Sequence, residues 1–269
     1  YLVTPELVGR DALREQLRRQ LQLACSGRGS ALCLQGEAGV GRSRLLDVCV
    51  LDAKTLGMAT LRASVTSAEP LATAFALADL LRETLALPGL QQMFPELFDA
   101  APPAGALPAN DVRADARTPF KRPASPAQEA ALVDALARLF STASKLHALL
   151  VAVDDIQRID APSAALLVQL ADRSPASRIC VLLSADPDSA GGSSLALAAL
   201  TRRCQLLKLP ALTAQETHAL LGSVFGDVAN LPLLARELHA LGQGNPGQSL
   251  ALAQHLIDGI DRDQIKTLL

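Results

Sequence analysis

Between residues 32 and 46 the chain reads Leu32-Cys33-Leu34-Gln35-Gly36-Glu37-Ala38-Gly39-Val40-Gly41-Arg42-Ser43-Arg44-Leu45-Leu46. A short apolar run ends at Gly36, a glycine-rich turn follows, and a segment with helical apolar periodicity opens at Arg42. This order predicts a strand, a loop and a helix, with the spacing G-x-x-x-x-G-[basic]-[Ser/Thr] of a phosphate-binding P-loop. The alternative is a glycine-rich turn without a ligand.

The chemistry of phosphate binding accounts for the residue types in this loop. Glycines let the backbone curl closely around phosphate oxygens with its N–H groups pointing inward. The helix that begins near Gly41 adds the partial positive charge of its N-terminus. The predicted nucleotide-binding residues of the loop are Gly36, Glu37, Ala38, Gly39, Val40, Gly41, Arg42, Ser43 and Arg44. Ser43 occupies the position whose hydroxyl binds Mg²⁺ in this motif.

Arg42 departs from the motif, which has lysine at this position. Lysine is a compact charge on a flexible stem, whereas arginine is longer, planar and forked. Arg42 can attract a triphosphate and is a candidate catalytic residue, but its charge is not placed as a lysine's would be. The loop therefore predicts nucleotide binding more firmly than hydrolysis.

A second chemical stretch, residues 147–157, reads HALLVAVDDIQ. Its continuous apolar run is typical of a central parallel strand that is buried on both faces. Two carboxylates at the end of such a strand have the form of a Walker B motif, in which Asp154 holds magnesium through water and Asp155 orients or deprotonates an attacking water. The alternative is a strand that simply ends in polar residues. Ser184 ends the next buried run, where it either senses the outer phosphate or caps the strand.

Composition narrows the class of protein. The 269 residues are 49% hydrophobic and 19% charged, which suits an ordinary globular chain with ample core. A formal net charge of −2, few aromatic residues and no tryptophan argue against nucleic-acid or membrane partners. Five scattered cysteines without metal-ligand spacing indicate a reducing, cytoplasmic compartment. The first residue, Tyr1, suggests a fragment of a longer polypeptide.

The order of patterns predicts an α/β fold, with a parallel sheet flanked by helices and a small helical lid domain after it. We expect an N-terminal helical segment of the nucleotide-binding domain over 1–29, the α/β core over 30–210 and the lid over 211–269. Eight of the 16 prolines fall in residues 88–126, a Pro/Ala-rich stretch. Such a composition predicts a surface insertion that is partly flexible and cannot bury enough to order itself.

Five signatures follow one another along the chain. They are Val8-Gly9-Arg10, the P-loop through Leu45, Asp154-Asp155-Ile156-Gln157-Arg158-Ile159-Asp160, Leu209-Pro210-Ala211-Leu212-Thr213 and Gly244-Asn245-Pro246. In this order they resemble the AAA-like signal-transduction ATPases with numerous domains, or STAND NTPases. Members of that family occur within bacterial LuxR-type transcription factors, adenylate cyclases and Ser/Thr protein kinases.

The resemblance implies an ATP/ADP switch with Mg²⁺, in which Val8 and Gly9 lie against the adenine and Pro246 approaches from the lid. It implies other domains of the same polypeptide as partners, and self-association is possible. Three departures point to slow hydrolysis or none: Arg42, Asp186 near a position where the family often has arginine, and Arg158 in place of tryptophan. A degenerate scaffold that mediates protein–protein or interdomain contacts is the alternative function. Nucleic-acid remodelling is disfavoured by the charge.

Arg202 and Arg203 form a basic pair before the last predicted strand. In the wider AAA group this region often carries an arginine that reaches the nucleotide of a neighbouring subunit. The other interpretation is a solvated pair that flanks a strand.

Overall fold

The computed structural model describes residues 5–65, 69–85, 90–98, 120–187, 195–226 and 230–259. The helices are α1 Asp11–Cys25, α2 Arg42–Thr55, α3 Ala72–Leu85, α4 Leu90–Met93, α5 Pro126–Leu146, α6 Ala161–Arg173, α7 Leu195–Arg203, α8 Ala214–Phe225, α9 Leu231–Gly242 and α10 Pro246–Gly259. The strands are β1 Ser30–Gln35, β2 Ala59–Ser64, β3 Leu149–Asp154, β4 Ile179–Ala185 and β5 Gln205–Lys208.

The five strands form one sheet in the order β2-β3-β4-β1-β5, and every neighbouring pair is parallel. All six residues of β3 and all seven of β4 are buried, as expected for central parallel strands. Leu183 of β4 pairs with Val153 of β3 on one side and with Cys33 of β1 on the other. The carboxyl ends of these three strands therefore meet at one edge, immediately beside the loop that follows β1.

Helices cover both faces of the sheet. On one face α1 and α2 pack against alternate strand residues such as Leu34, Leu150 and Leu182. On the other face α3, α5, α6 and α7 pack against the intervening residues, among them Val151 and Leu183. The predicted parallel sheet flanked by helices is confirmed.

The stretch 88–126 contradicts one expectation. Phe94, Leu97, Phe98 and Phe120 are all buried in the core that α3 and α5 share. The ring of Phe120 stacks on Phe75 with centroids 5.3 Å apart and lies 5.4 Å from the ring of Phe98. The prediction that this stretch cannot bury enough surface is wrong for its described ends, because a few large apolar side chains anchor an otherwise proline-rich background. Residues 99–119 lie outside the described residues.

The C-terminal helices α8, α9 and α10 pack on one another around a small apolar cluster of their own, which includes Leu221, Leu231 and Leu238. A capping box formed by Thr213 and Glu216 begins α8. A C-terminal helical region is thus present, while the domain boundaries at 29 and 210 stay predictions.

The cysteines behave as small core residues. Burial raises the pKa of Cys33, Cys49, Cys180 and Cys204 to about 12, so these thiols stay protonated. Within the described ranges no group of three or more His, Cys, Asp or Glu side chains could hold a metal ion. No helix described here is both long and apolar enough to cross a bilayer.

Candidate phosphate-binding site

The glycine-rich loop between β1 and α2 has the backbone that an anion cradle needs. Gly39 and Gly41 have φ of 83° and 99°, in the left-handed region that favours glycine, and α2 begins directly after them. The hydrogen bonds found among the described residues do not use the amide groups of Gly39, Gly41, Arg42 or Ser43. These donors at a helix N-terminus can therefore bind the oxygens of a phosphate group.

The C-terminal helices hold the same loop by its carbonyl groups. Asn245 donates from Nδ2 to the oxygen of Ala38 at 2.8 Å, and the amide of Gly247 donates to the oxygen of Gly39 at 2.9 Å. A Cβ atom on Gly247 would lie 2.8 Å from the Cα of Gly39, so this approach requires glycine. The loop is thus fixed from outside while the N–H groups of Gly39, Gly41, Arg42 and Ser43 stay available.

Arg10 fixes the loop from a third direction. Its side chain is buried, with 4% exposed, and it donates to the carbonyl oxygens of Val40 at 3.2 Å and Pro210 at 2.7 Å. Burial lowers the pKa of Arg10, and the negative charge of Glu216 partly offsets that effect. Sequence reasoning missed this role, although Arg10 stood inside the Val8-Gly9-Arg10 signature.

An apolar cavity of about 190 Å³ opens beside the loop. It is lined by Val8 and Arg10 from the N-terminal segment, by the loop, and by residues of the C-terminal region. The lining comprises Pro5, Glu6, Leu7, Val8, Arg10, Gly39, Val40, Gly41, Arg44, Leu212, Leu220, Pro246, Gly247 and Leu250. The structure therefore brings together Val8, Pro246 and the loop, while a contact of Val8 or Pro246 with a bound nucleotide stays a prediction.

The other predicted residues take different places. Gly9, with φ of 68°, lies against Glu216, whose carboxylate leaves no room for a Cβ atom there. Gly36 and Glu37 line a second cavity of about 410 Å³, which the loop shares with Asn245 and Gln248 of the C-terminal region. The guanidinium of Arg44 donates to the carbonyl oxygen of Pro5 and so holds the N-terminal segment against α2.

Arg42 does not extend freely toward solvent. Its side chain is only 8% exposed and donates to the carbonyl oxygen of Gly36 at 2.9 Å and to Oδ1 of Asp155 at 3.3 Å. The same guanidinium lies 3.7 Å from Oδ2 of Asp186. The arginine that replaces the motif's lysine thus forms ion pairs with two carboxylates at the sheet edge.

Asp154 is buried among hydrogen-bond donors. Ser184 donates to its Oδ1, and Arg62 of β2 donates to its Oδ2 at 2.8 Å. Burial alone would raise the pKa of Asp154, but hydrogen bonds from Ser184 and Ser43, with the charge of Arg62, outweigh burial and hold the pKa below its ordinary value. Asp154 is therefore ionised at neutral pH and lies near Ser43, while a metal-binding role of the two residues stays a prediction.

Asp155 has φ of 56°, an uncommon conformation for a residue with a side chain, and follows β3 directly. Its amide donates to Oγ of the fully buried Ser184 at 3.0 Å. Ser184 thereby contacts both acids and positions them, while its sensing of an outer phosphate stays a prediction. Gln157 donates to Oδ1 of Asp155 and accepts from the amide of Asp186, which ties the ends of β3 and β4 together.

The basic pair at the end of α7 lies on the surface. Arg203 donates to Oδ1 of Asp172 at 2.6 Å in an exposed ion pair, and Arg202 is exposed as well. This arrangement agrees with a solvated pair, and a role of either arginine toward a neighbouring subunit stays a prediction.

The comparisons with known proteins agree with this geometry. A family model described as AAA ATPase domain matches residues 6–182. No curated protein sequence matches the chain significantly. The ORC2 protein of Aeropyrum pernix, solved as ADPNP-ADP complexes, matches 99% of this chain and 69% of its own with a TM-score of 0.58 and 17% identity.

Two further structures extend the likeness. The Aeropyrum pernix ORC1 protein in complex with DNA matches 98% of this chain and 65% of its own, with a TM-score of 0.53 and 17% identity. A STAND protein with a tetratricopeptide repeat sensor from Pyrococcus horikoshii matches 91% of this chain and 29% of its own, with a TM-score of 0.49 and 14% identity. Identities this low indicate a shared fold alone. The TM-score of 0.49 for the STAND protein is too low to support an argument about the class of this chain.

Proposed function

Since this chain belongs to the AAA ATPase domain family, we propose that it binds adenine nucleotide with Mg²⁺ and acts as a nucleotide-dependent signalling switch with weak or no hydrolysis. The observation that carries the proposal is the orientation of the P-loop, whose carbonyl groups are held by Asn245, Gly247 and Arg10. The amide groups of Gly39, Gly41, Arg42 and Ser43 remain for phosphate oxygens. The A. pernix ORC2 protein, solved with ADPNP and ADP, supports the choice of ligand.

The apolar cavity supports the switch role. Its walls come from the N-terminal segment, the P-loop and the C-terminal helices, including Val8, Val40 and Pro246. A base bound there would contact all three parts, and a ligand stabilises the arrangement that it contacts. Binding and release would therefore change how firmly the C-terminal helices dock on the core.

Mg²⁺ fits the residues at the sheet edge. Ser43 is one of the groups that lower the pKa of Asp154, so a hydroxyl and a carboxylate of the kind that Mg²⁺ prefers lie near each other. When bound, the ion would neutralise part of the phosphate charge. Arg62 already binds Oδ2 of Asp154, so the ion would share this acid with a guanidinium.

The catalytic side supports slow hydrolysis or none. Asp155, the candidate for orienting water, accepts from Arg42 and Gln157 through its Oδ1. Arg42, the candidate for stabilising the transferring phosphate, is engaged by Asp155 and lies beside Asp186. Both groups would have to exchange partners before they could act on a phosphate.

We place the chain in the STAND class and take other domains of the same polypeptide as its partners, on the strength of the five signatures. Self-association remains part of this proposal. The ORC1 relative was solved with DNA, but the net charge of −2 and the 3% aromatic content of this chain do not favour nucleic acid.

A scaffold without nucleotide turnover is the second candidate. The ion pairs of Arg42 with Asp155 and Asp186 favour it, because they give the P-loop arginine partners within the protein itself.

Titration of the purified chain with ADP and ATP at millimolar concentration, with and without Mg²⁺, tests binding. We expect heat of binding and an increase in melting temperature. Ser43→Ala should lose the magnesium-dependent part of the affinity, whereas Ser26→Ala, at an exposed turn after α1, should bind as the wild type does. The absence of heat and thermal stabilisation with both nucleotides would overturn the proposal and favour the scaffold.

A further inference from the structure

The ion pairs of Arg42 bear on which nucleotide the site prefers. In a P-loop the basic residue after the second glycine is the one that reaches the β- and γ-phosphates. Here that residue is Arg42, and it already contacts Asp155 and lies 3.7 Å from Asp186. The two carboxylates therefore already pair with the positive charge that the β- and γ-phosphates would bind.

Of these two acids, Asp186 is held the more firmly. Its side chain is 12% exposed, whereas that of Asp155 is 47% exposed and has solvent to turn into. The amide of Asp186 donates to Oε1 of Gln157 at 3.3 Å, and Gln157 in turn binds Asp155. Asp186 also follows β4 directly, at the edge of a fully buried strand. The carboxylate of Asp186 therefore has less access to solvent than that of Asp155, and its backbone is tied to the end of β3.

The charges at this edge do not balance. Four carboxylates, those of Asp47, Asp154, Asp155 and Asp186, form ion pairs with the two guanidinium groups of Arg42 and Arg62. Negative charge is therefore in excess at this edge, which is partly buried, and electrostatic interactions are stronger there than in water. A γ-phosphate would add negative charge there and would compete with Asp186 for Arg42.

A diphosphate avoids most of this conflict. The free amides of Gly39, Gly41 and Ser43 lie in the loop and at the start of α2, and they can bind phosphate oxygens without drawing Arg42 away from its acids. Only the γ-phosphate would have to compete with Asp186 for the space beside Arg42 and for its positive charge.

We propose that Asp186 makes the site discriminate against the γ-phosphate, so that the chain binds the nucleoside diphosphate more tightly than the triphosphate. This inference rests on the proposed nucleotide binding and names the residue that determines its specificity. It gives Asp186 a function through its charge beside Arg42.

Calorimetric titration with ADP and with ADPNP, each in the presence of Mg²⁺, measures the discrimination directly. We expect wild-type protein to bind ADP more tightly. Asp186→Asn keeps the size of the side chain and removes its charge, and it should raise the affinity for ADPNP about tenfold, equivalent to about 1.4 kcal/mol. The affinity of the same variant for ADP should change less than about threefold.

Asp172→Asn is the matched control, because it also removes one negative charge, from an exposed ion pair with Arg203 on α7. It should leave the ratio of the two affinities unchanged. The ratio of the wild type should also fall toward one as salt is raised, because screening weakens charge repulsion. This measurement needs no variant and stands even if Asp186→Asn folds poorly.

Three results would overturn the inference. The first is tighter binding of ADPNP than of ADP by the wild-type protein. The second is an affinity ratio that Asp186→Asn leaves unchanged. An equal rise in both affinities would show a general charge effect instead of discrimination. If neither nucleotide binds wild type or variant, the proposed function fails together with this inference, and that outcome is distinct from binding without discrimination.

Discussion

The two sides of the P-loop are built from different interactions. On one side, which we call the docking side, its carbonyl groups accept hydrogen bonds from Asn245 and Gly247 of the C-terminal region and from Arg10 of the N-terminal segment, next to an apolar cavity. On the other side, which we call the charged side, Arg42 forms ion pairs with Asp155 and Asp186 at the sheet edge. The first side leaves donors available for a ligand, whereas the second side uses its charged groups internally.

This difference separates binding from catalysis. Binding of phosphate depends on backbone amides and close packing, which the docking side supplies with ordinary residues. Phosphoryl transfer depends on positive charge at the outer phosphate, and on the charged side that charge already has partners. We therefore expect substitutions on the docking side to affect stability and affinity, and substitutions on the charged side to affect turnover, selectivity and pH response.

Arg10→Ala should give the largest effect and would show how much the docking side contributes to the folded state. It removes buried, charge-assisted hydrogen bonds to Val40 and Pro210 and leaves their carbonyl oxygens without this donor. We expect the free energy of unfolding to fall by about 2–4 kcal/mol. Urea denaturation followed by circular dichroism measures it.

Arg19→Ala is the control for this change. Arg19 lies on the same N-terminal part of the chain, but its side chain is 67% exposed and pairs with Glu15 on its own helix. Its loss should cost less than about 0.5 kcal/mol. Equal effects of the two substitutions would contradict the role of Arg10 in holding the P-loop to Pro210 and the N-terminal segment.

Gly247→Ala should weaken nucleotide binding more than it weakens the fold. A Cβ atom there would lie 2.8 Å from the Cα of Gly39, so α10 must move away from the loop. Overpacking of this kind costs about 1–3 kcal/mol, which we expect to appear as a loss of ADP affinity of roughly 5- to 150-fold.

Gly222→Ala is the matched control, since its Cβ atom would meet only Leu231 at an ordinary distance of 3.5 Å. It should bind ADP as the wild type does and gain slightly in helix stability. Wild-type affinity in Gly247→Ala would mean that the docked arrangement of α10 is not required for binding.

The features predictable from sequence are those that depend on local spacing. The order of strand, loop and helix around Gly36 and Gly41, and the acids after β3, follow from apolar runs and motif positions. The joint lining of one cavity by Val8 and Pro246 was implied by the family resemblance alone, because 238 positions separate them in the numbering of the chain.

What could not be predicted depends on contacts across long separations. The bonds of Arg10 to Pro210 and of Arg42 to Asp155 and Asp186 join elements whose approach no local pattern specifies. The burial of Phe94, Phe98 and Phe120 was missed because average composition over 88–126 concealed a few anchoring aromatics. A search for large apolar residues at the ends of that stretch would have found them.

Arg42→Lys tests whether the charged side limits hydrolysis. A lysine lacks the fork that lets Arg42 reach Gly36 and Asp155 together, and as a compact charge it can follow the outer phosphate. We expect turnover to rise about tenfold, equivalent to about 1.4 kcal/mol of transition-state stabilisation, with a smaller change in affinity. Single-turnover release of phosphate from ATP measures the rate. Equal rates in both proteins would mean that the arginine is not the limiting defect.

Ser184→Ala should give the smallest effect and would sharpen the comparison through its pH dependence. The hydroxyl donates to Asp154, whose folded pKa lies below its unfolded value of about 3.9. A carboxyl group with a lowered folded pKa contributes stability that is present above the unfolded pKa and is lost as pH falls through the folded pKa. Removal of Ser184 moves the folded pKa of Asp154 upward, so the variant should be less stable by about 1 kcal/mol at pH 7. The difference from wild type should shrink as pH falls below about 4, where Asp154 becomes protonated.

Ser144→Ala is the control, because the buried hydroxyl of Ser144 donates to the carbonyl oxygen of Ser141, which does not titrate. Urea denaturation of the three proteins from pH 7 to pH 3 measures both differences. A destabilisation by Ser184→Ala that is constant with pH, like that of Ser144→Ala, would mean that the hydroxyl contributes packing and not the ionisation of Asp154.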